Sequence, residues 1–491
     1  MPSKSVSWKI VLICLVSLII GISISWGIFD AVPHLEDEHA NLYQAKIFAS
    51  GKIANPDTAL FSSFWVPFVV NYNGHLFSKY TPGYSLVLAL GVIAHIPWLI
   101  NPILAAAGLF AVFLLCKEIY DERTGVLAAT LGLISPMYML LSGTFLSHSF
   151  SITLLTFFAW AFIRMHKEEV YRPWHFAMLS GLFMGFAIIT RPWTAVGVGL
   201  PFVIYALVKF IRSPKKYWKL YLVTVACCVL IALLLPLYNA ITTGNPLMNT
   251  YTLIWSYDTI GFGPDHGSHG YTLEKMWRNL KTDLAEYNQF SLGWPVVQGY
   301  AIPLAWIVVL FGLLLPKREK RDWLVIIPAI TLILAYMAYW ARSGGIYGPR
   351  YYAETLPFFW IIVSRGLLKF DQFKINYWIT RAALLVFVLW NIIMVTHPVF
   401  EKCRDLYDIN RDDVRTIEQA NIHHAIVFVF SDYWTKYANF SWKNPIDLAE
   451  ADIIYAHDRG PENQKVIEAI PGRQIYYYNH DASPQLVQAN P

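Results

Sequence analysis

"IVLICLVSLIIGISISWGIFDAVPHLEDEHANLYQ", residues 10–44, joins an apolar run of spanning length to three consecutive carboxylates, Glu36, Asp37 and Glu38. Lys4 and Lys9 ahead of the run and the small residues Ser23 and Ser25 near its end give it the look of a signal peptide. A signal core takes only about 7 to 15 apolar residues, however, and Ile10 to Ile28 offers about 19, so the run reads as an uncleaved anchor. Carboxylates at the point of membrane exit need a reason. Leu42, Ala45 and Ala49 follow them at helical spacing, which predicts a helix lying along the membrane surface with Asp37 and Glu38 in its first turn. Acids there complement the helix dipole, and that alone is a sufficient structural reason for them. Successive helical residues diverge by about 100°, so one acid of the pair faces a given reacting atom while the other orients it or meets a cation.

The rest of the chain is of the same kind as its first helix. Of 491 residues, 56% are hydrophobic and only 14% charged, against about 25% charged in ordinary globular chains. This is an α-helical polytopic membrane protein. Apolar runs near residues 10–29, 98–116, 125–143, 147–164, 175–190, 193–211, 220–238, 300–316, 323–340, 353–368 and 376–396 predict about eleven transmembrane helices. The basic stretches "RMHKEEVYR", "IRSPKKYWK" and "PKREKR" mark cytoplasmic loops. Their alternation closes only if "TPGYSLVLALGVIAHIP", residues 81–97, is an interfacial or re-entrant helix that does not cross. The net charge of +5 thus reflects orientation in the membrane, and no nucleic-acid partner follows from it. Of the five cysteines only Cys403 lies clearly outside the apolar runs, so no structural disulfide is expected.

That parity places residues 30–97, 239–299, 341–352 and the tail from about 397 on the exoplasmic face. In the tail, "AIVFVF", "ADIIYAHD" and "RQIYYY" read as short strands, with "PENQKVIEAI" as a helix between the last two. A small exoplasmic α/β domain at 397–491 is therefore expected beside a transmembrane domain at 1–396.

Several exoplasmic polar residues stand out. Lys79 in "FSKYTPGYS" sits where a loop re-enters the interface, and a snorkelling anchor is its plain reading. "ARSGGIYGPRYYAETLP" sets Arg342, Arg350, Tyr347, Tyr351 and Tyr352 on the face where cations are less expected. Arginine forks and tyrosine hydroxyls in such a cluster would attract a phosphate. Arg191 in "TRPWT" occupies a very short turn between apolar helices, where phosphate binding and interfacial anchoring explain it equally well. "GFGPDHGSHGYT" offers Asp265, His266 and His269 among glycines; the grouping resembles metal ligands, but its spacing fits a polar turn better. His148 in "LSHSFS" begins a helix on the same face, either as a satisfied histidine or as a further polar group of a site.

Taken together, an acidic pair after the first span, "KYTPGY" before the next, "TRPW" between spans and "GPRYYAETLPF" before a late span resemble the C-type membrane glycosyltransferases. The likeness is strongest to the protein O-mannosyltransferases and lipid A aminoarabinose transferases, and it covers roughly residues 8 to 370. It implies a polyprenyl-phosphate-linked sugar as donor, transfer on the exoplasmic face, Asp37 as the catalytic base with Glu38 beside it, and Lys79 on the donor phosphate. The chain departs from the family at two places. His148 stands where relatives often carry a second acid, which puts a jointly held metal in doubt, and Asn101 stands near the place of an arginine that Arg191 or Arg350 would replace. No cofactor is assigned; a divalent cation stays open. The acceptor is a glycan, a lipid or a protein, and the bilayer lipids are the remaining partners.

The implied reaction is a single displacement that inverts the anomeric carbon. A membrane transporter is the rival from another class, but ionisable residues gather at the ends of spans instead of within them, and no inverted repeat is evident. An O-antigen-ligase-like enzyme is a nearer rival that would transfer a whole glycan.

Overall fold

Trp8–Gly27 forms the first helix and buries a narrow stripe, Ile10, Ile13, Ser17, Gly21 and Ile24, while Val11, Leu12, Leu15 and Ile19 stay exposed. Spacing of three and four residues sets that stripe on one face, which packs on the helix Ile100–Ile119. The computed structural model describes residues 7–294, 296–297, 300–301, 309–310, 312–314, 322–342, 345–370 and 377–489.

Among the described residues, seven helices are long and apolar enough to cross a membrane, and eight if the pair Glu122–Leu133 and Pro136–Gly143, bent by 67°, counts as one span. Pro136 begins the second half of that pair and breaks the helical ladder, because proline has no N–H to donate. Val203, Ile204, Leu207, Leu222, Val225 and Leu230 are exposed, as residues facing acyl chains would be. The apolar run expected at 300–316 falls mostly outside the described residues. The helix Pro82–Ile93 has 12 residues, about 18 Å of rise, too short for a hydrocarbon core of about 30 Å. Its length suits the non-crossing helix that the sequence parity requires.

The carboxylates lie on a helix, Glu36–Ala49, with all three in its first turn. The helix departs from the surface helix expected of its apolar spacing. The helix does not present a single apolar face to a surface: besides Leu42 and Ala45 it buries Glu38, His39, Asn41, Gln44 and Ile47. It is held between the Pro82–Ile93 helix on one side and carboxyl-terminal residues on the other. Burial on both sides is possible because most of its polar groups find partners. Asn41 Nδ2 donates to Phe145 O at 3.2 Å, and Gln44 Oε1 accepts from Ser78 N at 3.0 Å and from the Tyr238 hydroxyl at 3.1 Å.

The carboxyl-terminal segment forms a four-stranded sheet in the spatial order Ile453–His457, Ala425–Val429, Gln474–Tyr478 and Leu486–Gln488. The first three strands are parallel and the last is antiparallel. Every residue of Ala425–Val429 is buried, as a continuous apolar run in a sheet covered on both faces should be. Helices Trp434–Ser441 and Asn463–Ala469 make the crossovers that parallel strands need.

Candidate active site

Two close backbone approaches bring the sequence-distant pieces together. A Cβ on Gly83 would stand 2.4 Å from Thr190 Oγ1 and 2.8 Å from the Ile189 carbonyl, so only glycine lets this helix meet the corner at Arg191. Thr81 Oγ1, donating to Thr190 O at 2.7 Å, fixes the same junction. Gly348, at φ +77°, lies against the Phe290 ring, 2.5 Å from where a Cβ would stand, and its turn places Tyr347 and Arg350 over the acid-bearing helix.

Asp37 stands at the centre. Its Oδ1 accepts from the Tyr80 hydroxyl, and its Oδ2 accepts from Arg350 Nη2 at 3.1 Å. Burial acts to raise the Asp37 pKa, but Arg350 and Lys79 outweigh it and hold the carboxyl below its ordinary value. Asp37 is ionised at neutral pH. Arg350 Nε is buried without a hydrogen-bond partner among the described residues, which leaves a donor of a half-buried guanidinium unspent.

Lys79 is buried in an aromatic enclosure, 3.6 Å from the Phe68 ring centroid and 4.4 Å from that of Trp255. Its counter-ion is Asp258 Oδ2 at 3.7 Å, a residue whose Oδ1 accepts from the Tyr339 hydroxyl at 2.7 Å and Trp340 Nε1 at 3.2 Å. Desolvation lowers the Lys79 pKa, with Asp37 and Asp258 opposing. A lysine so enclosed is no snorkelling anchor.

Glu38 points the other way. Its Oε2 accepts from Phe145 N at 3.0 Å and its Oε1 from the Tyr347 hydroxyl at 3.4 Å. Burial pushes its pKa up to about 7. Asn101 supports this arrangement, since its Nδ2 donates to Thr144 O at 2.6 Å and Leu146 O at 2.8 Å and so shapes the turn that presents Phe145 N.

A second ionic group adjoins the first. Arg191 Nε lies 3.3 Å and His148 Nδ1 3.5 Å from Glu354 Oε1, and Arg191 Nη2 donates to the Tyr336 hydroxyl at 3.1 Å. Burial acts to raise the Glu354 pKa, but Arg191 and His148 hold it below the ordinary value. Tyr351 stacks on Tyr336 at 5.0 Å and lies under the Arg191 guanidinium at 5.9 Å. His148 also lies within reach of Asp37.

The structure therefore brings Asp37, Glu38, Lys79, His148, Arg191, Tyr347, Arg350 and Tyr351 together. It leaves the glycine-rich loop apart: Asp265 and His269 are exposed, and His266 Nδ1 is 2.7 Å from Thr259 Oγ1. Among the described residues no three His, Cys, Asp or Glu side chains are grouped to hold a metal ion. The Asp37 surroundings do not fit a divalent cation either, because both its oxygens are engaged and Arg350 and Lys79 already supply positive charge. Arg342 pairs with Asp283 at 2.9 Å and Glu286 at 2.6 Å instead of joining the site. Tyr80, Asp258, Tyr336 and Glu354 were not singled out from sequence. Tyr80 and Glu354 lie within the stretches quoted for Lys79 and Arg350; Asp258 carries no local signal.

Residues 75–235 match the family model described as dolichyl-phosphate-mannose-protein mannosyltransferase, a segment that includes Lys79, Tyr80, His148 and Arg191. No curated protein matches by sequence. Among solved structures, ArnT from Cupriavidus metallidurans bound to undecaprenyl phosphate superposes with a TM-score of 0.61 over 97% of this chain and 93% of that one, at 12% identity. The same protein in the apo state gives 0.61 over 97% and 94%, at 13% identity. The Archaeoglobus fulgidus oligosaccharyltransferase in complex with Zn and sulfate gives 0.51 over 95% and 68%, at 12% identity. At these identities the likeness is one of fold, and with the matched segment it bears out the resemblance to C-type membrane glycosyltransferases and a mostly helical fold with a small carboxyl-terminal sheet; the expected count of about eleven membrane helices is not confirmed, seven or eight being found among the described residues.

Proposed function

We propose that this protein moves a single sugar from a polyprenyl-phosphate donor to an acceptor hydroxyl on the exoplasmic face of the membrane. The observation that carries the reading is Asp37 held ionised between Tyr80 and Arg350, with the Lys79 ammonium close enough to act on it. The lipid-linked donor is further supported by the fold shared with ArnT, whose structure holds undecaprenyl phosphate.

In this reaction the acceptor oxygen attacks the anomeric carbon, its proton passes to Asp37, and the bond to the phosphate oxygen breaks with its electrons on the departing lipid phosphate. One displacement inverts the carbon. Lys79 and Arg350, backed by Arg191, stabilise charge on the leaving phosphate, and the unspent Arg350 Nε is a ready donor to it. The same cations that keep Asp37 ionised weaken it as a base. A phosphate that takes up their field returns its basicity when donor is present. Glu38, turned to Phe145 N and Tyr347, orients the first turn of the helix.

Purified protein incubated with a panel of polyprenyl-phosphate sugars tests the reading. Release of lipid phosphate with sugar transfer, lost in Asp37→Asn, is the expected result; no turnover of any donor would remove it.

A further inference from the structure

Behind the acid-bearing helix lies a cavity of about 110 Å³, between that helix, the loop at residues 55–69 and carboxyl-terminal residues 437–448. His39, Leu42, Tyr43 and Lys46 line it at intervals of three and four residues. Lys46 follows Asp37 by nine residues, about 900° of helical turn, so the two side chains leave opposite faces. This cavity is separate from the site at Asp37.

Its ionic character is one-sided. Lys46 Nζ donates to Trp442 O at 2.5 Å and Asn444 O at 2.7 Å, which leaves one N–H of an ammonium. Among the described residues no Asp or Glu lines the cavity. The charge that acts on Lys46 is another cation, Lys443, itself paired with Glu418 at 2.7 Å. His39 is 3% exposed and lines the same space; its Nδ1 is 3.3 Å from Ser441 Oγ, and its Nε2 has no hydrogen-bond partner among the described residues. A half-buried ammonium without a carboxylate and a buried imidazole nitrogen without a partner both carry a cost, and one anion between them satisfies both. The remaining walls join apolar side chains, Leu42, Phe61, Val66 and Ile446 among them, to the uncharged polar ones of Asn55, Thr58 and Asn444.

We propose that this cavity binds a small organic anion, its carboxylate or phosphate held by Lys46 and His39 and its apolar body set among Leu42, Phe61 and Ile446. At about 10–15 Å³ for each water-sized site, the space takes a body of roughly ten heavy atoms. Burial, with Lys443 nearby, lowers the Lys46 pKa to about 7, and a bound anion restores its charge. The anion is either a free metabolite or the acidic end of a larger acceptor; the chemistry recognised is the same. Because the walls belong both to the acid-bearing helix and to the carboxyl-terminal segment, occupancy ties the two together.

Calorimetric titration of the full-length protein in detergent with benzoate and phenyl phosphate, and with benzyl alcohol as the uncharged control, tests the proposal without any transfer assay. At least one anion should bind saturably, at least tenfold more weakly to Lys46→Met, with unchanged affinity for Arg350→Ala; benzyl alcohol should not bind. If Lys46→Met does not fold, His39→Leu carries the same expectation. No binding of either anion, equal affinity in the cavity variants, equal binding of benzyl alcohol, or loss of binding in Arg350→Ala overturns it. The last result would place the anion at the site facing Asp37. A free anion and the end of an acceptor separate in one further arm: added benzoate slows transfer competitively with acceptor only if the acceptor enters this cavity.

Discussion

Arg350 Nη2 stands 3.1 Å from Asp37 Oδ2 while Nε of the same guanidinium has no hydrogen-bond partner among the described residues. One arginine thus holds the proposed base and keeps a donor in reserve. In the free protein burial would raise the Asp37 pKa, yet Arg350 and Lys79 hold it below its ordinary value of 3.8, so the ionised form is lost only as pH falls through that lowered value. A donor phosphate bound as proposed would neutralise the two cations and let the pKa climb. The acid limb of kcat, which reports the donor complex, should lie at higher pH than that of kcat/KM, by about one unit for a field worth roughly 1.4 kcal/mol. Coincident limbs in the two profiles would show that Arg350 and Lys79 do not meet the phosphate.

Donor affinity gives a direct measure of those cations. Arg350→Ala and Lys79→Ala should each weaken donor binding by about 1.5 to 3 kcal/mol, the worth of a hydrogen bond to a charged group, or about 10- to 150-fold. Lys79→Met is the better control for packing, because Lys79 fills the space between Phe68 and Trp255. Unchanged affinity in both positions removes them from the donor site.

Topology has its own test. If the basic loops face the cytoplasm and Pro82–Ile93 stays in the interface, a reporter fused after the carboxyl end should be active on the exoplasmic side. Cytoplasmic activity would invert the face assigned to Asp37 and Arg350 together.

What the sequence makes legible follows from the range of the physics involved. The first helix, the short Pro82–Ile93 helix and the strands Ala425–Val429, Ile453–His457 and Gln474–Tyr478 are set by local hydropathy and turn residues, and each lies where those signals put it. Lys79, Arg350 and Arg191 draw notice because cations there need a reason. Their partners do not. Glu354 meets Arg191 and His148, and Asp258 meets Lys79, through chain crossings that leave no periodicity. The two-sided burial of Glu36–Ala49 was hidden for the same reason, since its second face is covered by residues such as Trp442 and Asn444, some 400 positions along the chain.

Neighbouring acids with opposite proton preferences supply the last prediction. Burial raises the Glu38 pKa from an ordinary 4.5 to about 7, whereas Asp37 is held below its own ordinary value. A raised carboxyl pKa means that the folded state binds the proton more readily than the unfolded chain. Stability therefore falls as pH climbs from about 4.5 to 7, and the penalty is complete above that. Glu38→Gln keeps an acceptor for Phe145 N and removes the penalty, so its Tm should exceed that of the parent at pH 8 by more than at pH 4.5. An equal offset at both pH values would mean that Glu38 does not titrate in this window. Activity should separate the same two residues. Asp37→Asn should fold, bind donor and lose about 10²- to 10⁴-fold in transfer rate, the usual cost of a missing general base. Glu38→Gln should lose less, because its side chain faces Phe145 and Tyr347. A dead Glu38→Gln beside a near-normal Asp37→Asn would exchange the two roles, and full activity in both would reduce the acids to a helix cap.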